Sequence, residues 1–253
     1  MPYCLDLSGK TALITGSTKG IGYGLAMALA EAGANIVVTS RHQDECERVS
    51  GILEGMGVKT LPVAFDVNDR ISVEEATNKA LRYFGSIDVL VNNAGTAVTK
   101  KAEDLSEAEW DLVIDTNLKS VFFCCQVIGR QMIKQMGGKI INIASIFGMV
   151  AEKKILPYCV AKGGVLQMTK GLALEWSSYN IQVNAICPGY VKTAMNELVL
   201  QDQRICGDIL QKVPQRRLGL PEDLSGATVF LASDRSNYMT GQTIIIDGGW
   251  TAA

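Results

Sequence analysis

Short runs rich in β-branched residues recur from one end of the chain to the other: "TALITG" near 11, "NIVVTS" near 35, "TLPVAF" near 60, "IDVLVNNAG" near 87, "GKIINIAS" near 138, "IQVNAICPG" near 181 and "QTIIIDGG" near 242. Each has the length and composition of a strand buried on both faces. Between them lie longer amphipathic segments, at 20–32, 43–56, 70–84, 108–135, 158–178 and 221–233, that read as helices. Parallel strands need crossover connections, and helices placed in those crossovers cover both faces of the sheet. The pattern therefore predicts an α/β fold, a doubly wound parallel sheet, and 253 residues are enough for one core, so residues 1–253 are expected to form a single domain. The stretch from Thr193 to Val213 has no strand character and follows a "PG" turn, which makes 194–213 a candidate lid over a substrate site.

Charge and cysteine usage remove several classes of function. The net charge is -2 and Lys and Arg are scattered, so no footprint for nucleic acid or for an anionic membrane is present, and a small-molecule partner is expected. The start "MPYCLDLSGK" carries no basic segment followed by an apolar run, and no uninterrupted apolar stretch of spanning length occurs, so a cytoplasmic location is expected. The 7 cysteines (Cys4, Cys46, Cys124, Cys125, Cys159, Cys187, Cys206) are odd in number and lack CxxC spacing, and His42 is the only histidine. That argues against a disulfide framework and against a metal site, and leaves reduced core thiols, with His42 as a solvated loop residue.

"LITGSTKGIG", residues 13–22, runs from the first strand into the first helix, with Gly16, Gly20 and Gly22 separated by Ser17, Lys19 and Ile21. Glycines there permit a tight bend and let backbone N–H groups approach a pyrophosphate at the helix N-terminus, although glycines mark any tight strand-to-helix turn. The spacing is TGxxxGxG, not the GxGxxG of the commoner dinucleotide folds. Taken with "NNAG" (92–95), Asn117 in "DTNLKSVF", Ser145, "YCVAK" (158–162) and "PGYVKT" (188–193), the chain resembles the short-chain dehydrogenase/reductase family from Gly9 to Gly249. The resemblance implies a Rossmann-fold oxidoreductase with a nicotinamide cofactor.

The cofactor expected is NADP(H), with NAD(H) left open. An acid at the end of the second strand would hydrogen-bond a ribose 2′-hydroxyl and repel a 2′-phosphate, yet Ser40 and Arg41 stand there, with Lys19 in the glycine turn. Two solvated surface charges are the plainer alternative. By resemblance, Asp66 and Val67 meet the adenine, Asn93, Ala94 and Gly95 pack along the adenosine ribose, and Val191 and Thr193, after Pro188 and Gly189, meet the carboxamide and phosphates. A turn acid at the start of a helix would also account for Asp66.

Tyr158 and Lys162 are spaced i, i+4 on a predicted helix and share a face. An ammonium beside a phenol favours the phenolate and, assisted by a positively charged nicotinamide, is expected to lower the tyrosine into the range of a general acid and base. Ser145 ends the "IINIAS" strand at the edge where ligands of open α/β sheets bind. The resemblance supplies the set Asn117, Ser145, Tyr158 and Lys162, with Asn117 holding a water that links Lys162 to solvent, and Tyr158 and Lys162 also contacting the cofactor. Each alone has a plain structural account; in this order they imply hydride transfer between a carbonyl and an alcohol.

The span 173–196 resembles members acting on sugar acids such as gluconate. Reduction of a 3-oxoacyl thioester is the alternative, and a cofactor-binding sensor without turnover is an alternative of another class. Beside the catalytic serine, Glu152, Lys153 and Lys154 could meet an acidic substrate or form a solvated charge run. The resemblance also implies a homotetramer through helices 108–135 and 158–178, and the apolar face "VFFCCQVIG" fits such contacts.

Overall fold

A computed structural model describes residues 5–193 and 202–252. All seven apolar runs are strands: β1 Thr11–Ile14, β2 Asn35–Ser40, β3 Thr60–Ala64, β4 Val89–Asn92, β5 Gly138–Ile143, β6 Ile181–Pro188 and β7 Thr243–Ile246. They form one sheet in the order β3-β2-β1-β4-β5-β6-β7, every pairing parallel. The helices between them are α1 Gly20–Glu31, α2 Gln43–Glu54, α3 Arg70–Phe84, α4 Glu107–Ile114, α5 Ser120–Gln135, α6 Leu156–Trp176, α7 Gln203–Lys212 and α8 Ser225–Ala232.

The period-2 alternation of the strands sorts the core into two layers. Leu13, Val37, Leu90, Ile140 and Val183 pack against α3, α5 and α6. Ala12, Ile14, Ile36, Val38, Val89, Val91, Ile141 and Ile143 pack against α1, α2 and α8. Burying each of the larger side chains stabilises the fold by roughly 1.5–3 kcal/mol, so both faces must be covered, as the crossovers dictate. By length and hydropathy the helical run Glu107–Gln135 could cross a bilayer. Its Cys124, Cys125, Ile128 and Met132 are instead buried in the first of these layers.

Two helical expectations are corrected. The segment 108–135 is not one regular helix: a π-helical turn, Asp115–Lys119, separates α4 from α5. The segment 221–233 begins as a 3-10 turn, Pro221–Leu224, before α8. Of the candidate lid, 194–201 lie outside the described residues, whereas α7 is a helix capped by Asp202, whose Oδ1 accepts the Arg204 and Ile205 N–H groups at 2.9 and 3.4 Å. Cys46, Cys124, Cys125 and Cys187 are buried free thiols, Cys159 and Cys206 are half-buried and also free, and His42 is exposed at the entry to α2. Among the described residues no group of His, Cys, Asp and Glu is arranged to hold a metal ion.

Sheet order decides where the site lies. The chain winds outward from β1 through β2 to β3, then returns to lay β4 on the other side of β1. Loops leaving β1 and β4 therefore diverge, opening a crevice at the carboxyl edge. Six motif segments leave that edge in spatial order: Asp66 and Val67 after β3, Ser40 and Arg41 at β2, the glycine turn after β1, Asn93–Gly95 after β4, Ser145 after β5, and Gly189–Thr193 after β6.

Candidate active site

The glycine turn is held open by its neighbours. Gly16 and Gly20 have φ of +66° and +57°, in the left-handed region that disfavours side chains. Gly22 is required for space: a Cβ there would run into the Gly16 carbonyl oxygen and Asn93 Nδ2. Ser17 is locked to the end of β2, its N–H donating to Thr39 O and its Oγ accepting the Thr39 N–H, both at 2.8 Å. Asn93 Nδ2 donates to Thr15 O and Gly16 O at 3.0 and 3.1 Å, and Thr15 Oγ1 accepts the Asn93 and Ala94 N–H groups at 2.9 and 3.0 Å. Thr15, which the glycine spacing alone did not single out, thus joins the two motifs; its place directly before Gly16 was the available signal. Thr193 closes the far side, since a Cβ on Gly20 would lie 3.4 Å from its Cγ2. Val191 is buried and bridges to Gly219.

At the β2 end Lys19 and Arg41 are exposed, and neither side chain has a partner among the described residues. Ser40 Oγ is committed to a turn, accepting the His42 N–H at 3.0 Å. Glu45 stands close by and accepts from Thr18 Oγ1 at 2.9 Å. Asp66 is exposed and accepts the Asn68 N–H at 2.9 Å; the acid that caps α3 is Asp69, not Asp66.

At the β5 end Ser145 Oγ accepts the Phe147 N–H at 3.1 Å and lies near enough to the Tyr158 phenol to lower its pKa. Lys162 Nζ donates to Ile143 O at 2.7 Å and lies 5.6 Å from the centroid of the Tyr158 ring. Ser145, Tyr158 and Lys162 are therefore assembled where β5 meets the first turns of α6. Pro157 lies in the first turn of that helix, where a missing N–H costs nothing. Gly148 lets the turn after Ser145 touch α6, because a Cβ there would fall 2.7 Å from the Lys162 carbonyl. Below, Asn142 Nδ2 donates to Thr169 Oγ1 at 2.9 Å and ties β5 to the same helix face.

Without the cofactor the electrostatics run opposite to the direction expected with it. Burial pushes the Tyr158 phenol up to about 12, against a smaller lowering by Ser145, and burial pulls Lys162 down to about 8. In the protein alone desolvation holds each group toward its neutral form. Asn117 also departs from its expected simple helical setting. It is fully buried on the π turn, its Nδ2 donates to Thr96 O and Val113 O at 2.8 Å each, and its Oδ1 accepts the Thr96 N–H at 3.2 Å. Its amide thus fastens the loop after β4 to the π turn, the kind of helix irregularity that recurs at functional sites. A Cβ on Gly95 would lie 2.7 Å from that Oδ1.

Comparison with known proteins agrees with this geometry. A family model described as enoyl-(acyl carrier protein) reductase matches residues 16–251. A 2-dehydro-3-deoxy-D-gluconate 5-dehydrogenase of Dickeya dadantii is 43% identical over 98% of this chain and 97% of its own. The 3-oxoacyl-[acyl-carrier-protein] reductase FabG of Staphylococcus epidermidis is 39% identical over 95% and 98%. The crystal structure of a gluconate 5-dehydrogenase from Burkholderia cenocepacia J2315 in complex with NADP and tartrate superposes with a TM-score of 0.96 at 37% identity, covering 98% of each chain. With the strand order, the glycine cradle and the Ser145, Tyr158 and Lys162 cluster, these matches establish that the chain belongs to the short-chain dehydrogenase/reductase family of oxidoreductase enzymes.

Proposed function

We propose that the chain is an NADP(H)-dependent enzyme that interconverts a secondary alcohol and a ketone, with a sugar acid or polyol as substrate. The observation that carries this reading is the convergence of Ser145, Tyr158 and Lys162 beside a glycine cradle at one sheet edge. The cradle fits a dinucleotide: a side chain on Gly22 would fill it, and the unpartnered Lys19 and Arg41 suit a 2′-phosphate. Gly16, Gly20 and Gly22 would hold the pyrophosphate, Asn93–Gly95 and Asp66 the adenosine, and Gly189, Val191 and Thr193 the nicotinamide half. When bound, the cofactor supplies or accepts the hydride at the carbonyl carbon.

The chain's own groups handle the oxygen and its proton. Ser145 positions the carbonyl oxygen. Tyr158, held protonated at neutral pH by burial, gives its proton to the developing alkoxide during reduction. Lys162, fixed on Ile143 O, retains two further N–H donors with which to stabilise the phenolate and return a proton to it. In the oxidation direction the same phenol must first lose its proton, so that direction is favoured at higher pH. Asn117 keeps the loop after β4 and the π turn in register with the site.

The sugar-acid substrate is supported by the relatives that are dehydrogenases of 2-dehydro-3-deoxy-D-gluconate and gluconate. NADP in a neighbouring gluconate 5-dehydrogenase supports the cofactor. The 39% identity to FabG favours 3-oxoacyl thioester reduction as the second reading. Comparing catalytic efficiency with NADPH for 5-ketogluconate, a neutral ketose and an acetoacetyl thioester decides between them. A clear lead for the thioester reverses the ranking, and NADPH binding with no turnover of any carbonyl leaves a sensor. A cytoplasmic homotetramer completes the proposal, supported by the apolar surface that α5 and α6 expose at Phe122, Val160 and Leu174, the last 82% exposed.

A further inference from the structure

The loop after Ser145 carries a second feature. Phe147, whose N–H donates to Ser145 Oγ, packs edge-on against Tyr190 at 5.6 Å and Trp250 at 6.4 Å between ring centroids, and Tyr190 and Trp250 lie 5.2 Å apart. These rings come from three chain segments, after β5, after β6 and after β7. Along their rim Lys212, the last residue of α7, places Nζ 5.3 Å from the Trp250 centroid and 3.3 Å from Glu152 Oε2. Glu152 is oriented by its other oxygen, which accepts the Lys153 N–H at 2.8 Å. Burial and the Glu152 charge both raise the Tyr190 phenol, which therefore stays a donor at neutral pH, and its hydroxyl has no hydrogen-bond partner among the described residues.

We propose that the Phe147, Tyr190 and Trp250 rings, edged by Glu152 and Lys212, form the subsite for the substrate end remote from the reacting carbon. Lys212 receives a terminal carboxylate there, and Glu152 with the Tyr190 hydroxyl receives the neighbouring hydroxyl groups. This rests on the sugar-acid reading of the substrate and names the residues that would enforce it. Ring faces accept the C–H side of a polyhydroxylated chain, whose hydroxyls need both donors and acceptors, and the rim supplies both. An acyl chain laid on the same rim would take water from a carboxylate and an ammonium without replacing it. Lys212 is 57% exposed and Glu152 29%, so the ammonium has donors to spare beyond Glu152. Lys153 and Lys154, the lysines next to Glu152 in sequence, are exposed and have no ion-pair partner among the described residues.

The test compares KM and kcat for 5-ketogluconate and a neutral ketose, with NADPH, in the parent, Lys212→Met, Lys212→Arg, Glu152→Gln and Lys153→Met. NADPH titration of each variant verifies an intact fold. Losing one charge-assisted hydrogen bond should raise the KM of the acid about 10-fold in Lys212→Met while the ketose KM and both kcat values stay within about twofold. Lys212→Arg should restore most of the loss, Lys153→Met should change nothing, and Glu152→Gln should raise KM for both sugar compounds. An unchanged acid KM in Lys212→Met, or an equal loss for acid and ketose, overturns the subsite while leaving the substrate reading intact. Failure of that reading shows in the parent alone, as turnover of the thioester and of neither sugar compound, and it removes the subsite too.

Discussion

Replacing Lys162 by Met separates what this side chain does for the reaction from what it costs the fold. The side chain is 4% exposed, and burial pulls its ammonium from 10.5 to about 8. Keeping it charged at neutral pH thus costs the folded state about 3 kcal/mol relative to the unfolded chain. Met fills a similar volume without charge but strands the Ile143 carbonyl that accepts from Nζ at 2.7 Å. An unsatisfied buried carbonyl costs about 1–3 kcal/mol, so the variant should lie within about 2 kcal/mol of the parent at pH 7 although its turnover collapses. The pH dependence carries the sign. Because the folded value lies below the unfolded one, the unfolded chain holds more protons between about 8 and 10.5, and the parent's stability rises with pH across that window. From pH 7 to 9.5 the penalty should shrink by about 2 kcal/mol in the parent and by nothing in Lys162→Met. Tyr158, pushed up to about 12, lowers stability only above its ordinary 10 and is present in both proteins. The assay is urea unfolding of both at pH 7 and 9.5, at one protomer concentration and without added cofactor. A stability gap that does not move with pH, or that moves in the variant's favour, refutes the buried ammonium.

Tyr158→Phe should keep NADPH affinity while turnover falls by about 100-fold or more, and near-normal turnover would exclude Tyr158 as the proton donor. Arg41→Ala should weaken NADPH about 10-fold and leave NADH unaffected; an equal loss for both in fluorescence titrations defeats the 2′-phosphate assignment. Gly22→Ala should abolish cofactor binding and destabilise by about 2–4 kcal/mol, because its Cβ collides with the Gly16 carbonyl and displaces Asn93. Gly171→Ala, on α6 with nothing among the described residues within 4 Å of the added Cβ, should instead raise the unfolding free energy by about 0.5–1 kcal/mol in the same assay. Light scattering should give a multiple of the 27.2 kDa chain mass; a monomer mass removes the tetramer.

The strands were legible because a strand buried on both faces leaves a direct trace, as in "IQVNAICP", where every residue of β6 is buried. The π turn was not: slipping one residue in the helical ladder leaves the apolar spacing of 108–135 nearly unchanged, so nothing local distinguished Asn117 from a helical asparagine. Nor could local sequence weigh burial against charge. The spacing of Tyr158 and Lys162 correctly placed both side chains on one face, but the depth of that face, not the spacing, sets both groups against their charged forms.

By itself the sequence pointed to a parallel sheet with helices on both faces and, through the family resemblance, to a short list of candidate groups for a dinucleotide and a proton. The layers follow from periodicity, a property of neighbours along the chain, and most of the candidate groups from the family resemblance of the motifs. Tertiary structure decided the rest. Thr15 becomes the joint between two motifs only because β1 and β4 are adjacent in the sheet. Among the charges around Ser145, Glu152 finds Lys212, a residue 60 positions away, while Lys153 and Lys154 turn to solvent. Distance in space, burial and the fields they produce belong to the folded chain, and only the fold reveals which of several plausible cations pairs with Glu152.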